Sequence, residues 1–148
     1  MTRRDPYLAF CFRVTIQGDA NLNDTTGLFK SAGGLAIETE VVDFKEGGVN
    51  TMTHKLVGGT KFKNIVLKRG FSGSEFTKWI GLWQAESKKP SRVTGTIDQL
   101  DTKGQVMATW KFTGGWPCKW ELSEFDASKN EVSIETLEIA HSGITRTK

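Results

Sequence analysis

Residues 93–113 read VTGTIDQLDTKGQVMATWKFT, and this stretch decides the fold class. The turn residues 101–104 separate two segments in which apolar and polar side chains alternate, the pattern of half-buried strands. In the second segment, residues 106–113, the apolar side chains share one face: Val106, Ala108, Trp110 and Phe112. The stretch therefore predicts a β-hairpin.

Strand patterns continue on both sides of this hairpin. Residues 8–16 alternate cleanly, with one apolar face made of Leu8, Phe10, Phe12, Val14 and Ile16. Further strands are predicted at residues 35–44, 51–57, 64–69, 116–122 and 132–139. Residues 18–34 are rich in glycine, asparagine and aspartate and are predicted as a loop, from which Leu22, Leu28 and Phe29 could pack inward. The glycine pair Gly58-Gly59 is predicted as a turn.

Two of the predicted strands change the parity of their apolar residues. In residues 35–44 the apolar set moves from Leu35, Ile37 and Val41 to Val42 and Phe44. The last strand changes in the same way, from Val132 and Ile134 to Leu137 and Ile139. A β-bulge or a bend at a barrel corner shifts side chains between faces in this manner. Two bent strands indicate a closed or nearly closed barrel.

One segment has helical periodicity. An aromatic and aliphatic stripe recurs at i, i+3, i+4 and i+7, and it is the predicted packing core of the helix: Phe76, Trp79, Ile80 and Trp83. Ser72 and Glu75 have the spacing of a capping box, which predicts the start of the helix. Its end is expected near Ser87, ahead of Pro90.

Length and charge narrow the class of protein. The chain has 148 residues, 20 Lys and Arg, 17 Asp and Glu, and a formal net charge of +3. One domain over residues 1–148 is expected. The densest basic groups are short, namely Arg3-Arg4, Lys68-Arg69 and Lys88-Lys89, which disfavours a nucleic-acid-binding stripe. No stretch approaches the roughly 18 apolar residues that span a bilayer, so no stable membrane anchoring is expected.

Candidate reactive residues are scattered. His54 and His141 have no partner residues at metal-ligand or triad spacing, and Cys11 and Cys118 are expected to be reduced thiols. Carboxylates at alternate positions, such as Glu38 with Glu40, are more typical of a wet strand face than of an acid pair. We therefore expect no catalytic, cofactor-binding or metal-binding residues and no enzymatic activity.

Several motifs along the chain resemble one known family. They are residues 4–10 (RDPYLAF), 38–42 (ETEVV), 64–70 (NIVLKRG), 116–120 (WPCKW), 127–132 (ASKNEV) and 134–143 (IETLEIAHSG). Together these motifs resemble the tail tube family of contractile phage tails, and most closely its branch in extracellular contractile injection systems of the antifeeding-prophage and virulence-cassette type. Residues 18–34 and 84–94 depart from the family pattern.

The resemblance implies a fold and a structural role. It implies a mainly β, single-domain antiparallel β-barrel or two-sheet sandwich with one packed α-helix, forming hexameric rings that stack into a hollow tube. The implied partners are copies of the chain itself, a sheath protein, and baseplate and cap proteins that initiate the tube, with protein or nucleic-acid cargo in the lumen. By the same resemblance the inter-ring loop holds Lys45, Glu46, Gly47, Gly48 and Asn50.

The resemblance also implies assembly in the bacterial cytoplasm and release as part of a phage tail or an extracellular toxin-delivery particle. Three other hypotheses remain open from the sequence. The first is a type VI secretion ring protein, which shares the fold. The second is a monomeric β-barrel that binds a small ligand or nucleic acid, and the third is an enzyme that uses Glu38 or His54.

Overall fold

Strands make up most of the computed structural model, which describes residues 11–18, 25–45, 53–70, 76–85, 91–123, 128 and 133–148. In chain order the elements are β1 (Cys11–Gln17), β2 (Thr25–Phe29), β3 (Ser31–Gly33), β4 (Ile37–Lys45), β5 (Thr53–Phe62), β6 (Ile65–Gly70), α1 (Thr77–Gln84), β7 (Val93–Leu100), β8 (Val106–Leu122), β9 (Ile134–Ala140) and β10 (Gly143–Arg146). Every strand pair is antiparallel. The predicted mainly β, antiparallel fold with one helix is therefore confirmed.

The main sheet has the strand order β2-β1-β7-β8-β9-β6-β3, with β10 also paired to β8. Its centre is the predicted hairpin of β7 and β8. Strand β8 is 17 residues long and pairs with β7 and β10 through its first part and with β9 through its last part. The two strands predicted on either side of residues 114–115 are one strand, which passes these glycines with a shift of register against β7.

The main sheet is open at the level of hydrogen bonding, so the described strands do not form the fully closed barrel that was one of the predicted forms. Its two end strands, β2 and β3, are consecutive in the chain and no ladder pairs them. Lys30 lies between β2 and β3, and its N–H donates to the Lys68 carbonyl at 2.9 Å. At this residue the chain stops pairing with β1 and begins to pair with β6. The sheet nevertheless folds over its core, since β2 contacts β6 and β1 contacts β3.

The structure differs from the sequence predictions at two further places. Residues 18–34 contain β2 and β3, where only a loop was expected; Phe29 is buried as anticipated, but Leu28 is 54% exposed. Strand β9 keeps a continuous register with β6, so its parity change is not a bulge: Ile134 simply points outward and is half exposed. The bulge lies in β8 instead, at Cys118, between Pro117 and Lys119.

The core lies between the two parts of the sheet and is closed by α1. The cluster consists of Val14, Ile16, Phe29, Ile65, Leu67, Phe76, Trp79, Val93, Ile97, Phe112, Leu137, Ile139 and Ile144. Of the predicted helix stripe, Phe76 and Trp79 are buried, whereas Ile80 and Trp83 are half buried against the cluster. The N-cap residue of the helix is Phe76, whose side chain makes no capping hydrogen bond, and the helix ends at Gln84. The predicted capping residues Ser72 and Glu75 precede it and lie outside the described residues.

A buried ion pair joins the adjacent strands β6 and β9. The Arg69 Nε donates to Glu135 Oε2 at 2.9 Å, and both side chains are about 5% exposed. The second carboxylate oxygen of Glu135 accepts a hydrogen bond from the Trp120 indole at 2.8 Å, and the guanidinium lies 4.7 Å from the ring centre of Phe29. Because its charge is matched within the core, Arg69 does not belong to a basic surface group.

Candidate functional site

A two-stranded arm, residues 37–45 and 53–62, stands apart from the main sheet. Its strands β4 and β5 pair only with each other among the described residues. The register runs from Ile37 opposite Phe62 at the base to Lys45 opposite Thr53 at the far end. Within the described ranges, one edge of each strand therefore enters no ladder, and such an edge is able to pair with another chain.

The predicted bulge is present in the arm, but its extra residue belongs to the other strand. Thr39 pairs with Thr60 and Val41 with Val57, which leaves Gly58 and Gly59 opposite the single residue Glu40. The glycine pair therefore lies within β5, and the prediction of a turn at this place is wrong. Because β4 itself carries no insertion, its apolar residues point to both faces of the arm.

Six large apolar side chains of the arm face solvent, although the sequence pattern had predicted that those of β4 would be buried. Their exposed fractions range from 43% for Val42 to 88% for Val57, and the set is Ile37, Val41, Val42, Phe44, Leu56 and Val57. Burying one side chain of this size fully is worth about 1.5–3 kcal/mol. Six such residues exposed on one two-stranded ribbon are more than the single apolar residues that are scattered over an ordinary surface, which makes the arm a candidate interaction site.

One face of the arm carries three apolar side chains beside Glu40 and His54. Val42 lies directly opposite Leu56, and Phe44 lies beside them, opposite His54. We call Val42, Phe44 and Leu56 the apolar face. The reverse face pairs Val41 with Val57 and places Asp43 opposite Lys55, so it combines an apolar patch with a charge pair.

The predicted inter-ring loop belongs to the connection between the two strands of the arm. Lys45 is the last residue of β4. The other members, Glu46, Gly47, Gly48 and Asn50, lie outside the described residues. In the sequence they fall between β4 and β5.

The candidate reactive residues are not brought together. Glu38 and His54 are exposed on the arm, Glu38 opposite Lys61, whereas His141 lies at the corner between β9 and β10. Among the described residues no three His, Cys, Asp or Glu side chains form a group that could hold a metal ion. No described helix is long and apolar enough to cross a membrane.

A small cavity lies between α1 and the last part of β8. Its volume is about 160 Å³, and polar and apolar groups share its lining: Ile80, Trp83, Gln84, Pro117, Cys118, Lys119 and Trp120. Trp83 stacks on Trp116 behind it, with ring centres 5.7 Å apart. Burial, and secondly the charge of Glu138, raises the pKa of the Cys118 thiol, which keeps it protonated and a weak nucleophile. Cys11 and Cys118 are both free, half-buried thiols.

Sequence reasoning located both strands of the arm but missed their exposure. The missing information was in the pattern itself. Val41 and Val42 are adjacent and therefore point to opposite faces, and Glu38, Glu40 and Asp43 are interleaved with the apolar residues. A strand with one buried face keeps its apolar residues to a single parity. Apolar residues at both parities, mixed with charges, indicate a strand whose two faces are covered only after association.

Comparison with protein families gives one match over nearly the whole chain. The model described as T4-like virus tail tube protein gp19 matches residues 8–145. Among curated protein sequences, none matches the chain significantly.

Comparison with solved structures identifies the same fold in several assemblies. A chain of the anti-feeding prophage (AFP) baseplate has a TM-score of 0.84 at 24% identity, with 97% of both chains covered. A chain of the PVC sheath-tube complex in the extended state has a TM-score of 0.76 at 21% identity, covering 96% of this chain and 91% of that one. A type six secretion system protein is less similar, with a TM-score of 0.54 at 11% identity and coverage of 93% and 83%.

Proposed function

The chain belongs to the T4-like virus tail tube protein family, and from this premise we propose how it assembles. Copies of the chain form hexameric rings, and the rings stack into the hollow inner tube of a contractile tail or injection system. The arm is the element that joins one copy to the next. The chain is a structural subunit, one domain over residues 1–148, and it catalyses no reaction.

The observation that carries this proposal is the exposed apolar surface of the arm. A two-stranded ribbon is at best marginally stable in water by itself, and its apolar residues gain free energy only when another surface covers them. Copies arranged head to tail can supply that surface to one another, and such a contact closes into a ring when the rotation between copies allows it. The outer edges of β4 and β5, which pair with no other described strand, add backbone hydrogen-bonding groups to the same contact.

The partners follow from the same role. A tube of this kind is surrounded by a sheath, begins at a baseplate and ends at a cap; the similar chains belong to a baseplate and to a sheath-tube complex in their own systems. Contraction of the sheath drives the tube through a target envelope, with cargo in the lumen. Assembly takes place in the bacterial cytoplasm, and the finished particle is a phage tail or an extracellular injection particle.

The proposal is tested by the assembly state of the purified chain. We expect six-fold rings or stacked hollow tubes by negative-stain electron microscopy, and a mass that is a multiple of six chains by light scattering. The baseplate proteins that nucleate the tube are added in a second series, so that slow nucleation is not mistaken for a lack of affinity. A strictly monomeric chain in both series would contradict the proposal and would favour a monomeric ligand-binding protein.

We further propose that residues Lys45, Glu46, Gly47, Gly48 and Asn50 touch the adjacent ring. Charges there set the register between rings, and glycines permit close approach of two backbones. Replacing Gly47 and Gly48 with isoleucine is expected to leave the monomer folded and to block stacking, because each change adds a branched side chain at the contact. Electron microscopy reports stacking, and circular dichroism reports folding.

The matched control for this prediction is Gly104→Ala in the turn between β7 and β8. That turn is exposed, and a Cβ at Gly104 would touch no other atom within 4 Å. Gly104 has a positive φ of 79°, so alanine there strains the backbone of the turn. The control therefore shows the effect of a strained glycine replacement away from the predicted inter-ring loop. Tubes of normal length from the Gly47→Ile/Gly48→Ile variant would show that the loop makes no inter-ring contact.

A further inference from the structure

His141, in the motif of residues 134–143, lies where the arm joins the main sheet. The chain enters the arm through residues 34–36 and leaves it through residues 62–64, and among the described residues no ladder connects the arm to the main sheet. The direction in which the arm points is therefore determined by the contacts at its base rather than by strand pairing.

The imidazole of His141 makes several of these contacts. Its Nε2 lies 3.0 Å from the carbonyl oxygen of Lys63, directly after β5. Because a carbonyl oxygen can only accept, Nε2 carries the hydrogen and donates it. The same ring packs on Phe62, the last residue of the arm, with ring centres 5.6 Å apart. Its Nδ1 is buried and has no hydrogen-bond partner within the described ranges.

The position of His141 is itself fixed by the core. Its ring centre lies 6.2 Å from that of Phe112, which is fully buried. The next residue, Ser142, donates its N–H to the Thr113 carbonyl at 2.8 Å, and its side chain occupies the space that a Cβ at Gly114 would need. His141 therefore projects from a rigid corner of the main sheet toward a base that has no ladder of its own.

Neighbouring contacts act in the same direction. Asn64 donates its side-chain amide to Glu138 on β9 at 2.9 Å. On the entering side, Gly34 has a φ of 76°, and any side chain there would collide with the Asn64 carbonyl. The segments through which the chain enters and leaves the arm are thus held against each other and against the corner that carries His141.

A small change of angle at this base is amplified along the arm. Strand β4 has nine residues, which at a rise of about 3.3 Å each gives a length of about 30 Å. A tilt of about 10° at the base would move the far end by about 5 Å, which exceeds the tolerance of a hydrogen bond. Contact with another copy therefore depends on how firmly the base is held.

From this geometry we infer that His141 is a positioning residue for assembly: its Nε2–H bond to the Lys63 carbonyl holds the arm at the angle that a second copy of the chain requires. The inference rests on the proposed role of the arm in joining copies. It assigns to His141 a role in aligning the arm that is separate from any contact with the neighbouring copy.

The test compares His141→Phe, which keeps a ring but has no donor, with His141→Gln, whose side-chain amide can donate to the same carbonyl. Spin labels are attached to cysteines that replace Val57 on the arm and Lys111 on β8, in a background in which Cys11 and Cys118 are alanine. Distances are measured on the monomer, at a dilution confirmed by light scattering, so they report the base of the arm whether or not tubes form.

We expect a narrow distance distribution for the wild-type chain and for His141→Gln, and a broader one displaced by several ångströms for His141→Phe. Tube yield should fall at least tenfold for His141→Phe and recover in His141→Gln. If His141→Phe does not fold, His141→Leu serves the same purpose. An unchanged distribution in the donor-free variant, or equal broadening in both variants, would overturn the inference. Normal distances with no tubes from any chain would instead count against the proposed function alone.

Discussion

The double variant Val42→Lys/Leu56→Glu is expected to fold normally and to form neither rings nor tubes. The two residues are cross-strand neighbours on the apolar face and are about half exposed, so the monomer loses little by their replacement. Opposite charges directly across a strand pair support the arm itself. At an interface, the same two charges would have to lose their water against an apolar partner surface, which costs several kcal/mol.

Leu28→Glu is the matched control for this variant. Leu28 is another large apolar residue, 54% exposed, but it lies on β2 of the main sheet. We expect this variant to assemble like the wild-type chain. Light scattering and electron microscopy measure assembly, and thermal unfolding followed by circular dichroism measures the fold. Tubes from Val42→Lys/Leu56→Glu, at wild-type yield, would exclude the apolar face as the joining surface.

Trp79→Ala is expected to lower the free energy of unfolding of the monomer by about 3–5 kcal/mol. Trp79 is fully buried, and its ring packs on Phe76 with centres 6.2 Å apart. Removing the indole leaves a cavity between α1 and the main sheet that the short helix, of eight residues, can refill only in part. The loss is a large fraction of the total stability of an ordinary domain.

Trp79→Phe is the control that separates packing from hydrogen bonding. The Trp79 indole N–H is buried and has no hydrogen-bond partner among the described residues. Phenylalanine removes this polar group and keeps most of the ring, so we expect a smaller loss than for alanine. Urea unfolding measures both variants in the Val42→Lys/Leu56→Glu background, because assembly would add apparent stability. Equal losses for the two variants would show that ring packing is not the source of the effect.

The strands that bury one face could be predicted from the sequence, because apolar and polar side chains alternate along a strand when one of its faces is buried. The hairpin of β7 and β8 and the strand β6 were predicted in this way, and the stripe of Trp79 and its neighbours predicted α1. Closure of the sheet could not be predicted, since it depends on whether β2 pairs with β3, and both strands lie in a segment that glycine and asparagine made look like a loop.

The candidate site was predicted only in part, and the reason is physical. An apolar strand residue is buried in the finished assembly whether its cover comes from the same chain or from a neighbouring copy, and the pattern does not distinguish the two. Val42 and Phe44 were therefore expected inside the core. His141 could not have been assigned to the base of the arm, because its partner Lys63 is 78 positions away in the sequence.

The length of β8 has a mechanical consequence. The strand is hydrogen bonded to β7 and β10 in its first part and to β9 in its last part. A load that enters the subunit on one side therefore reaches the other side through the covalent backbone of a single strand. A force directed along β8 would have to break many hydrogen bonds at the same time, because these bonds share the load. A force directed across the strand would break them one after another. The subunit is thus stiffest along β8, and pulling single molecules along and across this strand would measure the difference as two distinct rupture forces.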